Sequence, residues 1–351
     1  MTARAAARLT GIAGLTFALA CLAGGIAIDI TLANAGTTGP VAPGWSGLSH
    51  LAMAVTGAVL LIRMSWHPIA IALFGFGVFG SFGALASAWV GIAARLWTDA
   101  PLAEAALFVN QRLFDATLLA VPVVFVLFPD GRLPRHPLLR TAGVTAIAAA
   151  VVPLVGNVLK PWAVLAATDG GMDPDIRRWA RPDWGLQLDA HTWFAIDRVL
   201  DACTLAAPVL AVAVLLGRRW GAGEELRRQL RWIAWAGVLV VVVLVGVPFL
   251  LNWVLWAIAI IVAVTVMCVA IAIAITRYRL ESIDRVIGWT ILYGLLLVAV
   301  VLVDVALLAL VGGVLGENTV ALTAAIIVLI AFAPLREPLL AWITRVVYGR
   351  R

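Results

Sequence analysis

The chain has 351 residues, of which 63% are apolar and 13% charged, whereas a soluble domain carries about 45–50% and about 25%. That balance excludes a water-soluble globular protein and predicts an all-α, polytopic integral membrane bundle, since apolar runs of about 20 residues cross a hydrocarbon core as helices. The net charge of +6 points to no nucleic acid partner, because the arginines stand at the ends of apolar runs and in short loops, as the positive-inside rule expects.

Ten spans are predicted, at 9–32, 48–62, 69–92, 106–128, 141–159, 193–216, 232–251, 254–276, 289–311 and 319–333. With the N-terminus in the cytoplasm, every inside segment is net positive and no outside segment is. The expected topology therefore places both termini in the cytoplasm of a multi-pass protein of the cell membrane. Residues 1–276 form the multi-span region, 277–288 a cytoplasmic juxtamembrane segment, 289–333 the last helix pair and 334–351 a cytoplasmic stub.

Arg4 and Arg8 precede the first apolar run, which continues through Cys21 to Leu32. It is too long for a signal-peptide core and reads as an uncleaved first helix. Asp29 falls near its outer end. Cys21, Cys203 and Cys268 each lie inside apolar runs with no CxxC spacing and read as packing residues, not as a metal or disulfide set. No metal and no cofactor is expected.

Span three contains a literal GxGxxG at Gly75, Gly77 and Gly80, flanked by Phe74, Phe76, Phe79 and Phe82. A dinucleotide fingerprint needs a strand before it and a helix after it. Here Gly80 and Ala84, and Gly83, Ser87 and Gly91, predict close helix approach. Span four opens with Arg112 and Asp115, which are three apart and can pair with each other. It ends in FPDGRLP, where Pro129, Asp130, Gly131 and Arg132 predict a rigid cytoplasmic turn of type I.

The longest external segment, about 160–192, carries Trp162, Trp179 and Trp184, with Trp193 just beyond. Its plain reading is a solvated loop with an interfacial aromatic belt, and its functional reading a ligand-sensing cap. Asp197, Arg198 and Asp201 open span six, with Asp197 and Asp201 on one face. The linker 217–231 is basic and predicts attraction to anionic lipid. Asp304, in span nine, is the most isolated intramembrane acid; such residues are functional candidates by default, although an interhelical hydrogen bond explains one equally well.

The charged insert RYRLESIDRVIGW at 277–289 places Leu280, Ile283 and Ile287 on one helical face. Arg277, Glu281 and Arg285 stand four apart on another, as an amphipathic surface helix requires. In the tail, Leu335, Leu339, Trp342 and Val346 have the 4, 3, 4 spacing that opens a coiled-coil seam. Enzyme signatures are missing from the 351 residues. There is no HExxH, GxSxG or GxxxxGK[ST], and no pair of spans is interrupted at matching positions as in many transporters.

Three blocks, FPDGRLP at 128–134, RYRLESIDRVI at 277–287 and APLREPLLAWITRVVYGRR at 333–351, together resemble the membrane input region of actinobacterial-type sensor histidine kinases. In that family a multi-span sensor precedes a dimerising helical hairpin with the phospho-accepting His and then an ATP-binding domain. The resemblance implies a sensory input domain, a homodimer in the lipid bilayer, and a kinase module in cis or in trans with its response regulator. It implies a relay role for Arg277, Arg279, Asp284 and Arg285 in the insert, and for Arg345, Tyr348 and Gly349 at the exit. None of the four histidines lies in a cytoplasmic hairpin, so no catalytic residue carries over. The competing expectation is a stand-alone transporter or partner-binding scaffold.

Overall fold

The computed structural model describes residues 3–36, 43–168, 174–180, 185–220, 223–246 and 253–276. The chain divides into two compact units, Met1–Ala274 and Ile275–Arg351; apart from residues 275 and 276, every described residue belongs to the first. Spans nine and ten lie outside the described residues, as do Arg277, Arg279, Asp284, Arg285, Asp304, Arg345 and Tyr348.

All regular structure among the described residues is helical. Helix α1 spans Ala3–Asn34, α2 Gly47–Met64, α3 Pro68–Arg95 and α4 Ala103–Phe108; α5 spans Ala120–Leu127, α6 Pro137–Leu159 and α7 Trp162–Thr168. Then come α8 Pro174–Arg177, α9 Ala190–Gly217, α10 Glu224–Val241 and α11 Trp253–Thr276. Among the described residues seven stretches are long and apolar enough to cross a membrane: Ala3–Asn34, Gly44–Met64, Pro68–Arg95, Ala103–Leu127, Pro137–Leu159, His191–Gly217 and Ala257–Ile275. Leu9, Phe17, Ile30, Val144, Val155, Val199 and Val209 stand exposed along these helices, as the lipid-facing side of a bundle requires. This is a multi-pass membrane architecture.

Small residues decide how the first three helices meet. A Cβ on Gly57 would lie 2.2 Å from the Phe74 amide nitrogen, and one on Gly77 2.2 Å from that of Ala54. These pairs place α2 and α3 antiparallel with their backbones in direct contact, the packing that small residues permit when lipid supplies no hydrophobic drive. Helix α1 lies on both: Gly11 faces Ala58, Gly14 the Phe74 ring, Gly25 faces Gly44, and Gly91 of α3 faces Leu32. The packing reading of Gly80 holds and Gly77 packs as closely, whereas Gly75 is exposed and has nothing within 4 Å of where a Cβ would stand. Of the three cysteines, all free, Cys21 and Cys268 are buried.

A second pair, α6 and α9, is antiparallel too, with Gly156 against Leu200 near one end and Gly217 against Leu139 at the other. Each helix has a proline inside it, Pro153 and Pro208. Two helices begin with the same His-Pro step. His67 and His136 are the N-caps of α3 and α6, and Pro68 and Pro137 take the first helical position, where a missing N–H costs nothing.

Two expectations need correction. Span four is not one α-helix: after α4 come a π-turn, Val109–Leu113, and a 3-10 stretch, Phe114–Leu119, before α5. The interruption coincides with Arg112, a side chain an apolar helix face has no means of solvating. The seventh predicted span, 232–251, begins too late, since α10 starts at Glu224 within the linker 217–231 and runs unbroken into it. The basic end of the bundle carries the N-terminus of α1 and the 128–137 turn, and the far end lies opposite.

Candidate functional site

Every helix that ends in a membrane protein leaves its last carbonyls without intrahelical donors, and hydrocarbon offers none. Here three arginines, each remote in sequence, supply them. At the basic end Arg218, just past α9, donates through Nη2 to Val126 O at 2.7 Å and Arg132 O at 2.6 Å, and through Nη1 to Phe128 O. The carbonyls belong to the end of α5 and to the FPDGRLP turn. Burial pulls the Arg218 guanidinium below its ordinary value, while the Asp130 carboxylate pushes the other way.

The turn itself departs from type I. The Phe128–Pro129 peptide is cis, Gly131 takes a φ of +70°, and the Gly131 amide bonds Leu127 O at 2.8 Å. A Cβ on Gly131 would lie 2.8 Å from the Pro68 ring, so both the left-handed φ and the proximity to α3 demand glycine. Pro129, Asp130, Gly131 and Arg132 thus belong to a knot joining the ends of α3, α5, α6 and α9. In the sequence Arg218 is one of several lipid-attracting residues; its true partners, about ninety positions upstream, leave no periodic signal. Arg218→Ala is expected to lower stability by about 1.5–3 kcal/mol, since several carbonyls lose a charged donor. Arg218→Lys should recover only part, because one ammonium cannot reproduce the planar fork. Thermal unfolding of the purified protein in mild detergent reads both.

At the far end Arg178 donates to Ala93 O at 3.2 Å and Ala94 O at 3.3 Å, at the end of α3, with its guanidinium 4.4 Å from the Trp179 ring. The third arginine is Arg112, fully buried on the π-turn. Its Nη1 donates to Asn157 O and Lys160 O, the last carbonyls of α6 and its cap. The Trp162 ring lies 4.2 Å from its guanidinium carbon. Leu186 N takes the neighbouring Leu159 O at 2.7 Å, and Trp193 Nε1 donates to Leu186 O at 3.1 Å. Beside them Lys160 Nζ contacts Asp197 Oδ1 at 2.7 Å, both side chains largely withdrawn from solvent.

This geometry revises the reading of the intramembrane charges. Arg112 serves the end of α6, and the Asp115 side chain lies outside the described residues. Asp197 is held by Lys160 across the helix pair, whereas Asp201 and Arg198 are exposed, so the two aspartates share a face but not an environment. Asp29, towards the end of α1, is buried, with the Gly44 and Trp45 backbone as its hydrogen-bonding neighbours. A Cβ on Gly44 would stand 2.4 Å from its Oδ2.

The described part of the segment 160–192 is more than a solvated loop, with Trp162 buried and Trp179 half-buried. Trp162 and Leu165 of α7 pack with Val90 of α3 and Leu107 of α4, joined by Ile176, Trp179 and Ala180. A second cluster sets Ala93, Ala100 and Ala103 under Trp89 and Trp179. Together α7 and α8 make a packed cap over the far end. Asp189, the N-cap of α9, accepts from Thr192 N at 3.0 Å and from the Thr192 hydroxyl, and these bonds hold its carboxyl below the ordinary value. A depressed folded-state pKa contributes stability above the unfolded value and loses it as pH falls through the folded one. Asp189→Ala is therefore expected to melt earlier than the wild type at pH 6, with the gap closing as the pH drops below about 4.

Comparison of the chain with protein-family models, with curated proteins and with solved structures returns no match.

Proposed function

We propose that this chain is the membrane-embedded input region of a two-component signalling system, passing an extracytoplasmic or membrane signal through its C-terminal helix to a histidine kinase module in cis or in trans. The observation that carries the reading is the ordered set of three blocks at 128–134, 277–287 and 333–351. The first block supports it further, being built as a fixed knot across four helix ends and held by Arg218. In this reading both termini are cytoplasmic, the protein is a homodimer in the cell membrane, and the 351 residues catalyse nothing themselves and take no cofactor. Arg277, Arg279, Asp284, Arg285, Arg345 and Tyr348 relay a population shift between two helix arrangements.

The test is a set of chimeras in which residues 1–351 are joined to a dimeric histidine-kinase core with zero to seven residues inserted after Arg351. Each inserted residue turns a helix by about 100°, so autophosphorylation is expected to rise and fall with insert length. A flat response, or a reporter after Arg351 that is active only outside the cell, would overturn the proposal.

One observation favours a transporter instead: the broken span at 109–119 has the discontinuous character of transporter binding helices. Solute flux into vesicles that disappears in Asp304→Asn would favour that alternative.

A further inference from the structure

The far end contains a cation whose hydrogen-bonding capacity is half used. Arg112 commits Nη1 to the end of α6, yet Nε and Nη2 are buried and have no hydrogen-bond partner among the described residues. Those two N–H groups point the same way, along the side edge of the guanidinium, and match two oxygens of a carboxylate or phosphate. The described surroundings leave this charge unbalanced. Among the described side chains Lys160 and Asp197 cancel each other, which leaves Arg112 no described counter-charge in a place where an uncompensated charge is costly. A cap requirement explains Nη1 alone, because the carbonyls of Asn157 and Lys160 need one nitrogen. The backbone is unusual at the same point, Arg112 being carried on a π-turn, a feature frequent at functional sites.

We infer that Arg112 is the binding residue for an oxyanion, a carboxylate or a phosphate, which enters beneath the α7–α8 cap and takes the Nε and Nη2 edge. Trp162 is both the ring over the guanidinium and the anchor of the cap in the Val90 and Leu107 cluster. Occupation of the edge therefore displaces or re-seats the cap, which converts binding into motion at the far end. This deepens the proposed input function by naming where a signal enters, but binding itself stands or falls separately from kinase control.

The test uses the whole chain, purified in neutral detergent, with melting followed while inorganic phosphate or acetate replaces chloride at constant ionic strength. A parallel arm compares nanodiscs of phosphatidylglycerol and phosphatidylcholine. A saturable rise in midpoint is expected in one arm, soluble anions marking a free ligand and phosphatidylglycerol alone a lipid headgroup. Arg112→Lys should weaken the response about tenfold, the loss of one good hydrogen bond, while Arg140→Lys, at an exposed position near the start of α6, should respond as the wild type does. Where Arg112→Lys does not fold, Asp197→Asn decides. It keeps an acceptor for Lys160 but removes the local negative charge, so anion affinity should rise severalfold. No response in the wild type, an equal response in Arg112→Lys, or unchanged affinity in Asp197→Asn would each overturn the assignment. Anion binding that leaves the kinase chimeras unaffected would refute its role as an input and not the site.

Discussion

Lys160→Met is expected to destabilise the protein by about 3–5 kcal/mol, and Asp197→Leu introduced alongside it to restore most of that loss. The asymmetry follows from where the pair sits. The two side chains are 9% and 14% exposed and 2.7 Å apart, so removing one strands the other's charge at the edge of an apolar bundle, whereas two apolar side chains are often as stable as the ion pair they replace. The Lys160 carbonyl, which Arg112 uses, survives both substitutions, and the end of α6 stays capped. Melting curves for the wild type, both single variants and the double variant close a thermodynamic cycle. Equal losses in Lys160→Met and in the double variant would show that the ammonium acts through packing rather than charge.

Gly77→Ala and Gly75→Ala are expected to move in opposite directions although they add the same methyl group to the same helix two residues apart. At Gly77 the new carbon would lie 2.2 Å from Ala54 N, 2.6 Å from its Cα and 2.8 Å from His50 O. All three are backbone atoms, so no rotamer change relieves the clash. Helices α2 and α3 must separate, breaking the neighbouring Gly57–Phe74 contact as well, at a cost of about 3 kcal/mol. At Gly75 nothing lies within 4 Å, and the gain in helix propensity, up to about 1 kcal/mol, is all that remains. Both are read as melting midpoints in the same detergent, and a stable Gly77→Ala would mean that the α2 and α3 backbones are further apart than these distances.

The contrast between those glycines shows where sequence reading stops. The literal GxGxxG was legible as helix packing and not as nucleotide binding, because its setting is apolar throughout. Which of its three glycines touch a neighbour depends on the register of α2 against α3, and no pattern within span three encodes that. The external tryptophans behaved similarly. Their number announced an interface, but whether a ring meets lipid or the Val90 and Leu107 cluster depends on where α7 folds back.

The arginines mark the same boundary. Their concentration at one end of each predicted span was readable because desolvation of a guanidinium is costly wherever it occurs. The partners of Arg112, Arg178 and Arg218 were not, since carbonyl acceptors are present at every residue and carry no compositional mark. The acceptors of Arg112, at 157 and 160, are too far along the string for any short spacing to mark them.

By itself the sequence determined that this chain is an all-helical, multi-pass membrane protein, because apolar runs of that length have one economical way of satisfying their backbone in lipid. Its apolar runs also placed most of the described helices to within a few residues. Only the tertiary structure decided that span four is broken, that α7 and α8 form a packed cap, and that three arginines serve remote helix ends. Those features arise from carbonyls and backbones brought together across the bundle, and the physical demand they meet belongs to the end of each helix rather than to any residue near it in the chain.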